Sequence, residues 1–336
     1  MIKIRNIQRI WRIFWNYQKR NETCSYLPSR LWIEPTAICN LNCKMCLNSS
    51  IPKEKKGRMD LNLFKRIIDE VSGYAYDVNI FHRAEPLTHP DIFEMVKYCK
   101  EKGLLTRLHT NGTLLTEKKS YELLESGLDL LSFSFDGYDK ETYESIRVGA
   151  DFDKTLNNIL TFLSIKKKLQ KKKPYTLLQT IRFQNIDSKP DLADAFKRKF
   201  KNLPLDKFTV RDAHNWGGNM ELENENQNIP DGATYGPCTF PWYALTIFWD
   251  GSVVPCPQDF FAEYCIGNIK DSTIAEMWNN EKMIALRKKM KKGEYKNLTP
   301  CNACDRIWRK RIFGIPKDYL RSFLSDNLFS YKFKEK

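Results

Sequence analysis

Between residue 31 and about residue 216, short apolar runs alternate with longer amphipathic ones. The short runs, at 31–35, 78–82, 104–110, 130–135, 177–183 and 207–211, read as strands. Helices are expected between them at 60–72, 91–102, 116–126, 153–170 and 190–200. Alternation at this spacing predicts an α/β fold with a parallel sheet and right-handed crossovers. Six such units fit a partial (β/α)6 TIM-type barrel, with chemistry at the C-terminal strand ends. A doubly wound sheet is the alternative on pattern alone.

Outside this span the pattern changes. Residues 1–22 predict a separate amphipathic helix. At about 100° per residue, Ile4, Ile7, Ile10, Trp11, Phe14 and Trp15 fall on one side. Arg5, Arg9, Arg12, Lys19 and Arg20 fall on the other. Such a helix either lies in a membrane interface or closes the bottom of a barrel with its basic side in solvent. Residues 217–236, rich in Gly, Asn, Glu and Pro, read as a linker. The expected organisation is a lead-in over 1–29, a core over 30–216, a cysteine-rich domain over 217–310, and a basic aromatic tail over 311–336.

Composition narrows the class. The 336 residues are 42% hydrophobic, enough for one large domain and a smaller one. The charged N-terminus lacks the apolar stretch of a secretory signal. No apolar run approaches the roughly 20 residues that span a bilayer. Ten cysteines without an export signal point to a reducing cytoplasm and to metal or cluster binding over disulfides. A peripheral position at the inner membrane face through residues 1–20 is the variant of that location. The net charge of +14 suits an anionic partner: a phosphorylated substrate, a nucleic acid or a membrane surface. The lysines at 166–168 and 171–173 close a helix, where they complement its dipole. A nucleic-acid patch would interleave aromatics, and these are absent.

Three thiols follow the first strand as Cys39-x3-Cys43-x2-Cys46. A [4Fe–4S] cluster normally takes four thiolates, so three leave one iron open to a small molecule. A zinc site would need a fourth protein ligand. The run resembles the signature of radical S-adenosylmethionine (SAM) enzymes, whose open iron takes the amino and carboxylate groups of SAM. Glu85-Pro86 then resembles the family's Gly-Gly-Glu-Pro segment, which receives the SAM amino group. Arg83 and Ala84 replace its glycines, and glycine's freedom of φ is what Ala84 lacks. Asn111, in His109-Thr110-Asn111-Gly112-Thr113, is likewise family-like and implied near SAM. Ser134 and Asp136, two apart on a strand, face one way and suit ribose hydroxyls. Arg147 stands where relatives place an arginine against the SAM carboxylate, a strong charge-assisted pairing. His82, Arg182, Arg211, His214 and Trp216 lie at or beyond strand ends and are candidates to face substrate.

A second cysteine group comprises Cys238, Cys256, Cys301 and Cys304. Asp250-Gly251 reads as a hairpin turn that delivers Cys256. Four thiols suffice for one [4Fe–4S] cluster, and a four-thiolate zinc site uses the same inventory. With Trp249-Asp250-Gly251, Ile266-Gly267-Asn268 and Cys301-Asn302-Ala303-Cys304, the region resembles the SPASM domain of radical SAM enzymes. That resemblance implies one auxiliary cluster. Cys265 is left over as a replacement ligand, a catalytic hydrogen-atom donor or a buried apolar residue. Cys24 and Cys99 read as core.

The expected activity is cleavage of SAM to a 5′-deoxyadenosyl radical, which takes a hydrogen atom from a substrate carbon. A reductase, flavodoxin or ferredoxin would supply the electron. Oxidation or epimerisation of a sugar-like or phosphate-linked small molecule is favoured over peptide modification. From another class, a zinc-binding, non-enzymatic nucleic-acid-binding protein remains the alternative.

Overall fold

The computed structural model describes residues 4–182, 190–220, 234–309, 311–312 and 315–316. Position 183 of the expected strand 177–183, residues 221–233 of the linker and most of the tail lie outside them. The chain divides into two compact units, Trp32–Ala213 with Ile247–Gly251, and Met1–Leu31 with His214–Thr246 and Ser252–Lys336.

Helix α1 (Ile4–Gln18) and strand β1 (Arg30–Ile33) open the chain. Then come α2 (Leu61–Val71), β2 (Asp77–Asn79), α3 (Ile92–Glu101), β3 (Leu105–Thr110), α4 (Glu117–Glu125) and β4 (Leu130–Ser134). After these run α5 (Lys140–Ile146), α6 (Phe152–Lys168), β5 (Tyr175–Arg182), α7 (Pro190–Arg198) and β6 (Lys207–Asp212). The six strands lie side by side in chain order, and β2 to β6 pair in parallel. This is the α/β alternation expected from the sequence. Local chemistry sets the helix starts: the side chains of Asp60, Thr116, Asp139 and Asp151 each accept backbone N–H bonds from the first turn. Helix α5 is an addition, since its seven residues are too few to show a clear period. Strand β2 ends at Asn79, so His82 lies in the turn beyond it.

Parallel register keeps paired residues on one face. Val78, Leu108, Leu131, Phe133 and Leu178 share a face and are almost wholly buried. Phe64, Ile67, Met95, Ile159 and Phe162 of the helices are equally buried. The other face carries Asp77, Asn79, Arg107, His109, Ser132, Ser134, Gln179 and Arg211. The same face also carries Leu105, Leu130, Leu177 and Ile181, so the sheet has one oily side and one more polar, mixed side, and hydrophobic burial decides which takes the helices.

The second unit adds β7 (Thr234–Tyr235), β8 (Ala244–Ile247), β9 (Ser252–Val254), β10 (Gly267–Asn268), α8 (Ile274–Trp278), α9 (Glu281–Lys292) and β11 (Trp308–Arg309). As expected, a turn at Asp250-Gly251 joins β8 to β9, with Gly251 at φ +92°. The buried Arg287 side chain of α9 organises this unit. It donates to the carbonyls of Pro241, Glu22 and Trp278 and to Asn279 Oδ1, all within 3.1 Å. Its guanidinium also stacks on Trp278.

Helix α1 docks in this unit through an edge the sequence pattern did not single out. Ile13 and Tyr17 are buried, and Tyr17 Oη donates to Pro237 O at 2.8 Å. Ile7, Trp11 and Trp15, placed by periodicity on the apolar side, stand exposed. Apolar residues extend around so much of this helix that periodicity alone does not say which part meets the protein. Among the described residues no helix is long and apolar enough to cross a membrane.

Candidate functional site

The loop Cys39–Cys46 leaves the end of β1 and is fixed by side chains distant in sequence. Thr36 Oγ1 accepts the Ile38 N–H, and Thr88 Oγ1 donates to Ile38 O. Asn40 Nδ2 donates to Thr113 Oγ1 at 2.8 Å, and Asn40 Oδ1 accepts Asn111 Nδ2 at 3.0 Å. Asn48 Nδ2 reaches both Ala37 O and Arg83 O at 2.9 Å. The N–H groups of Asn42 and Lys44 bond Val148 O and Ile146 O. That pairing brings Arg147 beside the thiols.

All three thiols are half-buried, and Cys46 Sγ accepts the Asn48 N–H at 3.4 Å. Burial raises each thiol above its ordinary value, Cys43 to about 12, and the neighbouring thiols reinforce the rise for Cys39 and Cys43. Arg147 opposes it at Cys43 and Cys46. A metal that replaces the protons removes this penalty, because thiolate ligation and deprotonation are coupled.

Glu85 is buried and its carboxylate is held by β3. Thr110 Oγ1 donates to Oε1 at 2.7 Å, the Asn111 N–H donates to Oε2 at 2.6 Å, and the Leu87 N–H donates to Oε1 at 3.1 Å. Burial nevertheless raises its pKa. Pro86 opens the short 3-10 turn Pro86–Thr88 behind it. The replaced glycines prove harmless to the backbone: neither Arg83 nor Ala84 adopts positive φ. Arg83 instead forms a buried bidentate pair with Glu34, both bonds 2.7 Å, and its guanidinium stacks on Phe248.

Asp136 is buried beyond the end of β4. It accepts the Ile181 N–H at 2.6 Å and Arg147 Nη2 at 2.5 Å. Arg147 Nε is buried with no hydrogen-bond partner. A charged donor with an open N–H, next to Cys43 and Glu85 in electrostatic reach, fits the carboxylate of a bound amino acid. Ser134, half-buried, ends β4 on the polar sheet face. His109 lies on the same face, stacked on Phe81 at 3.9 Å. Burial, helped by Arg211 and Arg107, lowers its pKa to about 3.

The substrate-facing candidates separate. Arg211 donates from Nε to Gln179 Oε1 on the polar face. Arg182 pairs with Asp212 on the opposite face. His82 packs against Phe248. His214 and Trp216 belong to the second unit, His214 near Arg306 and Trp216 against Phe260.

In that second unit, Cys238 and Cys304 are buried and Cys256 and Cys301 half-buried. Burial and then the neighbouring thiols of Cys238, Cys304 and Cys301 push Cys256 well above its ordinary value. Cys301 and Cys304 respond in the same sense, Cys304 to about 12. Cys256 Sγ accepts the Gln258 N–H at 3.2 Å. Asn215 clamps the Cys301–Cys304 turn, its Nδ2 donating to Ala303 O at 2.7 Å. Gly217 and Gly218 lie so close to Pro300 and Ala303 that a Cβ would collide with them. Residues 217 and 218, expected to begin a linker, are therefore packed structure. Cys265 is bonded elsewhere: its Sγ donates to Gly267 O at 3.3 Å, and its carbonyl accepts Lys282 Nζ. Cys24 and Cys99 are buried core residues. Among the described residues no three or more His, Cys, Asp or Glu side chains are gathered around a point that a metal ion could occupy. Each thiol group nevertheless supplies soft, buried donors that feel one another, the chemistry an iron–sulfur cluster requires.

Asn40, Asn48, Glu34 and Asn215 escaped sequence reasoning. Each has a partner at least 35 residues away, and Glu34 one as far as 215, so no local spacing marks them.

Comparison with known proteins places two family models on these regions. The Radical SAM superfamily model matches residues 33–169, and the SPASM iron–sulfur cluster-binding domain model matches 238–305. The chain is 26% identical over 325 residues to the tungsten-containing aldehyde ferredoxin oxidoreductase cofactor-modifying protein of Pyrococcus furiosus, covering 82% of this chain and 88% of that one. It is 23% identical over 284 residues to the S-adenosyl-L-methionine-dependent 2-deoxy-scyllo-inosamine dehydrogenase of Niallia circulans, covering 83% and 93%. The crystal structure of BtrN in complex with AdoMet and 2-DOIA superposes with a TM-score of 0.55 at 22% identity, again covering 83% and 93%. Its fold is that of the radical SAM partial barrel. Each model falls on one of the two thiol groups, and the fold agrees with both. The chain belongs to the radical SAM superfamily, as an enzyme that uses SAM and [4Fe–4S] chemistry and carries a SPASM iron–sulfur region.

Proposed function

We propose that Cys39, Cys43 and Cys46 ligate the SAM-binding [4Fe–4S] cluster, and that Cys238, Cys256, Cys301 and Cys304 ligate a single auxiliary one. Glu85, Pro86, Asn111, Ser134, Asp136 and Arg147 form the wall that receives SAM. In this reading Arg147, braced by Asp136, turns its open Nε–H to the SAM carboxylate. Glu85 and Asn111 hold the amino-group side, and Ser134 meets the ribose. Bound SAM and the clusters supply a 5′-deoxyadenosyl radical and an electron acceptor, with the first electron coming from a reductase, flavodoxin or ferredoxin.

The substrate is a small hydroxylated or phosphate-linked molecule, and the outcome is its oxidation. The observation that carries this is the polar sheet face. His109, Ser134, Gln179 and Arg211 bring hydrogen-bonding groups to that face beside Leu177 and Ile181, a mixed lining that suits the hydroxyls and ring carbons of a polyol. The dehydrogenase among the relatives, whose name specifies an aminocyclitol, supports the same class. Cys265, the candidate hydrogen donor for epimerisation, directs its S–H to Gly267 O, which favours oxidation.

Anaerobically reconstituted protein should hold about eight irons per chain. Cys256→Ala should lose about half of them yet still form 5′-deoxyadenosine. Cys43→Ala should form none. Incubated with cyclitols, sugar phosphates and peptides, the enzyme should give 5′-deoxyadenosine matched by an oxidised cyclitol or sugar. Turnover of a peptide alone would overturn the substrate class.

A further inference from the structure

Helix α1 displays an apolar ridge that its own unit leaves uncovered. Ile7, Trp11 and Trp15, four residues apart, are 49%, 60% and 42% exposed. The docked edge, Ile13 and Tyr17, is a different part of the helix. The rings of Trp11, Phe14 and Trp15 pack on one another with centroids 5.5–6.1 Å apart, so the ridge is a preformed aromatic surface. At about 100° per residue, Arg12 and Lys19 flank it on the side away from Tyr17, and both are exposed. Over the first 21 residues the sequence holds six Lys and Arg and no Asp or Glu.

We propose that this ridge seats α1 flat on an anionic lipid surface, with Trp11 and Trp15 at the headgroup boundary and Arg12 and Lys19 over the phosphates. Indole suits that boundary because its ring is apolar while its N–H remains hydrated. Lipid phosphates attract basic residues beside the membrane. A protein groove would engage the ridge but give no role to a cationic flank without a single carboxylate; an anionic leaflet meets both at once. Anchored by Ile13 and Tyr17, the helix presents the ridge already folded, so docking need not order a disordered segment. The inference stands independently of the substrate chemistry proposed above.

The test uses the full-length, iron-loaded chain and vesicles of equimolar phosphatidylcholine and phosphatidylglycerol. Wild type should float with these vesicles, with a blue shift of tryptophan emission, and should bind pure phosphatidylcholine at least about tenfold more weakly. Trp11→Ser with Trp15→Ser should weaken binding to the mixed vesicles by at least about tenfold. This double variant should keep the wild-type iron content and a cooperative melt, because α1 stays docked through Ile13 and Tyr17. Arg12→Glu with Lys19→Glu should weaken binding in the same direction. The proposal fails if wild type does not float, or if the tryptophan variant floats equally. It also fails if removing the tryptophans converts a dimer to a monomer, since the ridge would then be a contact between copies of the chain.

Discussion

Arg147 does two separable things, and variants can divide them. It neutralises Asp136, which is buried and already accepts the Ile181 N–H, and it holds out an unpartnered Nε–H. Arg147→Met should cost about 3–5 kcal/mol in unfolding free energy, because it leaves a buried carboxylate without its counter-charge. Adding Asp136→Asn should recover much of that loss. Neither variant should recover SAM binding, whose Kd should rise by about ten- to a hundredfold as one charged hydrogen bond disappears. If the double variant binds SAM normally, Arg147 is only a structural partner. His109 offers a second test at this scale. Its pKa is lowered from 6.5 to about 3, so the folded state binds fewer protons than the unfolded chain between those values. Acidification through that window should therefore destabilise the fold, and the contribution should vanish above pH 6.5. With four histidines in the chain, ring-nitrogen NMR can resolve them. One ring should stay neutral to about pH 4 and change its titration when Phe81→Ala exposes it. The cysteines and Glu85 stand out in the sequence because rare chemistry at fixed spacing leaves a mark there. The Glu34–Arg83 pair does not, since nothing local connects residues 49 apart.

At the scale of elements, the long amphipathic and alternating segments were readable, and the short ones were not. The strands and helices of the barrel lie close to their expected places because burial of one sheet face imposes the alternation. Helix α5 left no comparable signal, although it places Ile146 and Val148 against the thiol loop and so sets Arg147. Its approach depends on Gly137, which has φ +141° and sits so close that a Cβ would lie 2.6 Å from Tyr143 N. Gly137→Ala should therefore displace α5, destabilise the protein by about 1–3 kcal/mol and weaken SAM binding as well. Gly103→Ala separates the two causes. It too has positive φ, +76°, but open space around it, so it should cost only about 1 kcal/mol and leave SAM affinity unchanged. Equal losses of SAM affinity in both variants would show that general instability, and not the position of α5, is responsible. Helix α1 marks the limit of periodicity in the other direction. The pattern announced an amphipathic helix correctly, but only tertiary packing shows that Ile13 and Tyr17 dock while Trp11 and Trp15 do not.

At the scale of the whole molecule, the two units hold themselves together by different means. Trp32–Ala213 has a parallel sheet sealed on one side by helices over an extended buried apolar core. The lysines at 166–173, which the net charge made conspicuous, serve this packing in part: Lys166 is buried on Pro204 O and Asp206, and Lys173 pairs with Asp129. In the other unit the strands run only two to four residues, and the four thiols come from three separate places in the chain. If those thiols share one cluster, its binding free energy is also folding free energy for that region. Removing iron from the anaerobic protein with a chelator should then open residues 238–305 to proteases well before 32–213. Cys238→Ser should reproduce this cleavage pattern without chelator, whereas Cys43→Ser should leave it unchanged, since the loop at 39–46 is tied to the loops at the strand ends by Asn40, Asn48 and Thr88. Mapping the first cuts by mass spectrometry decides the matter. First cuts within the barrel strands, or Cys238→Ser protein as resistant as wild type, would mean that the apolar core around Arg287 and Trp278 holds the second unit without its cluster.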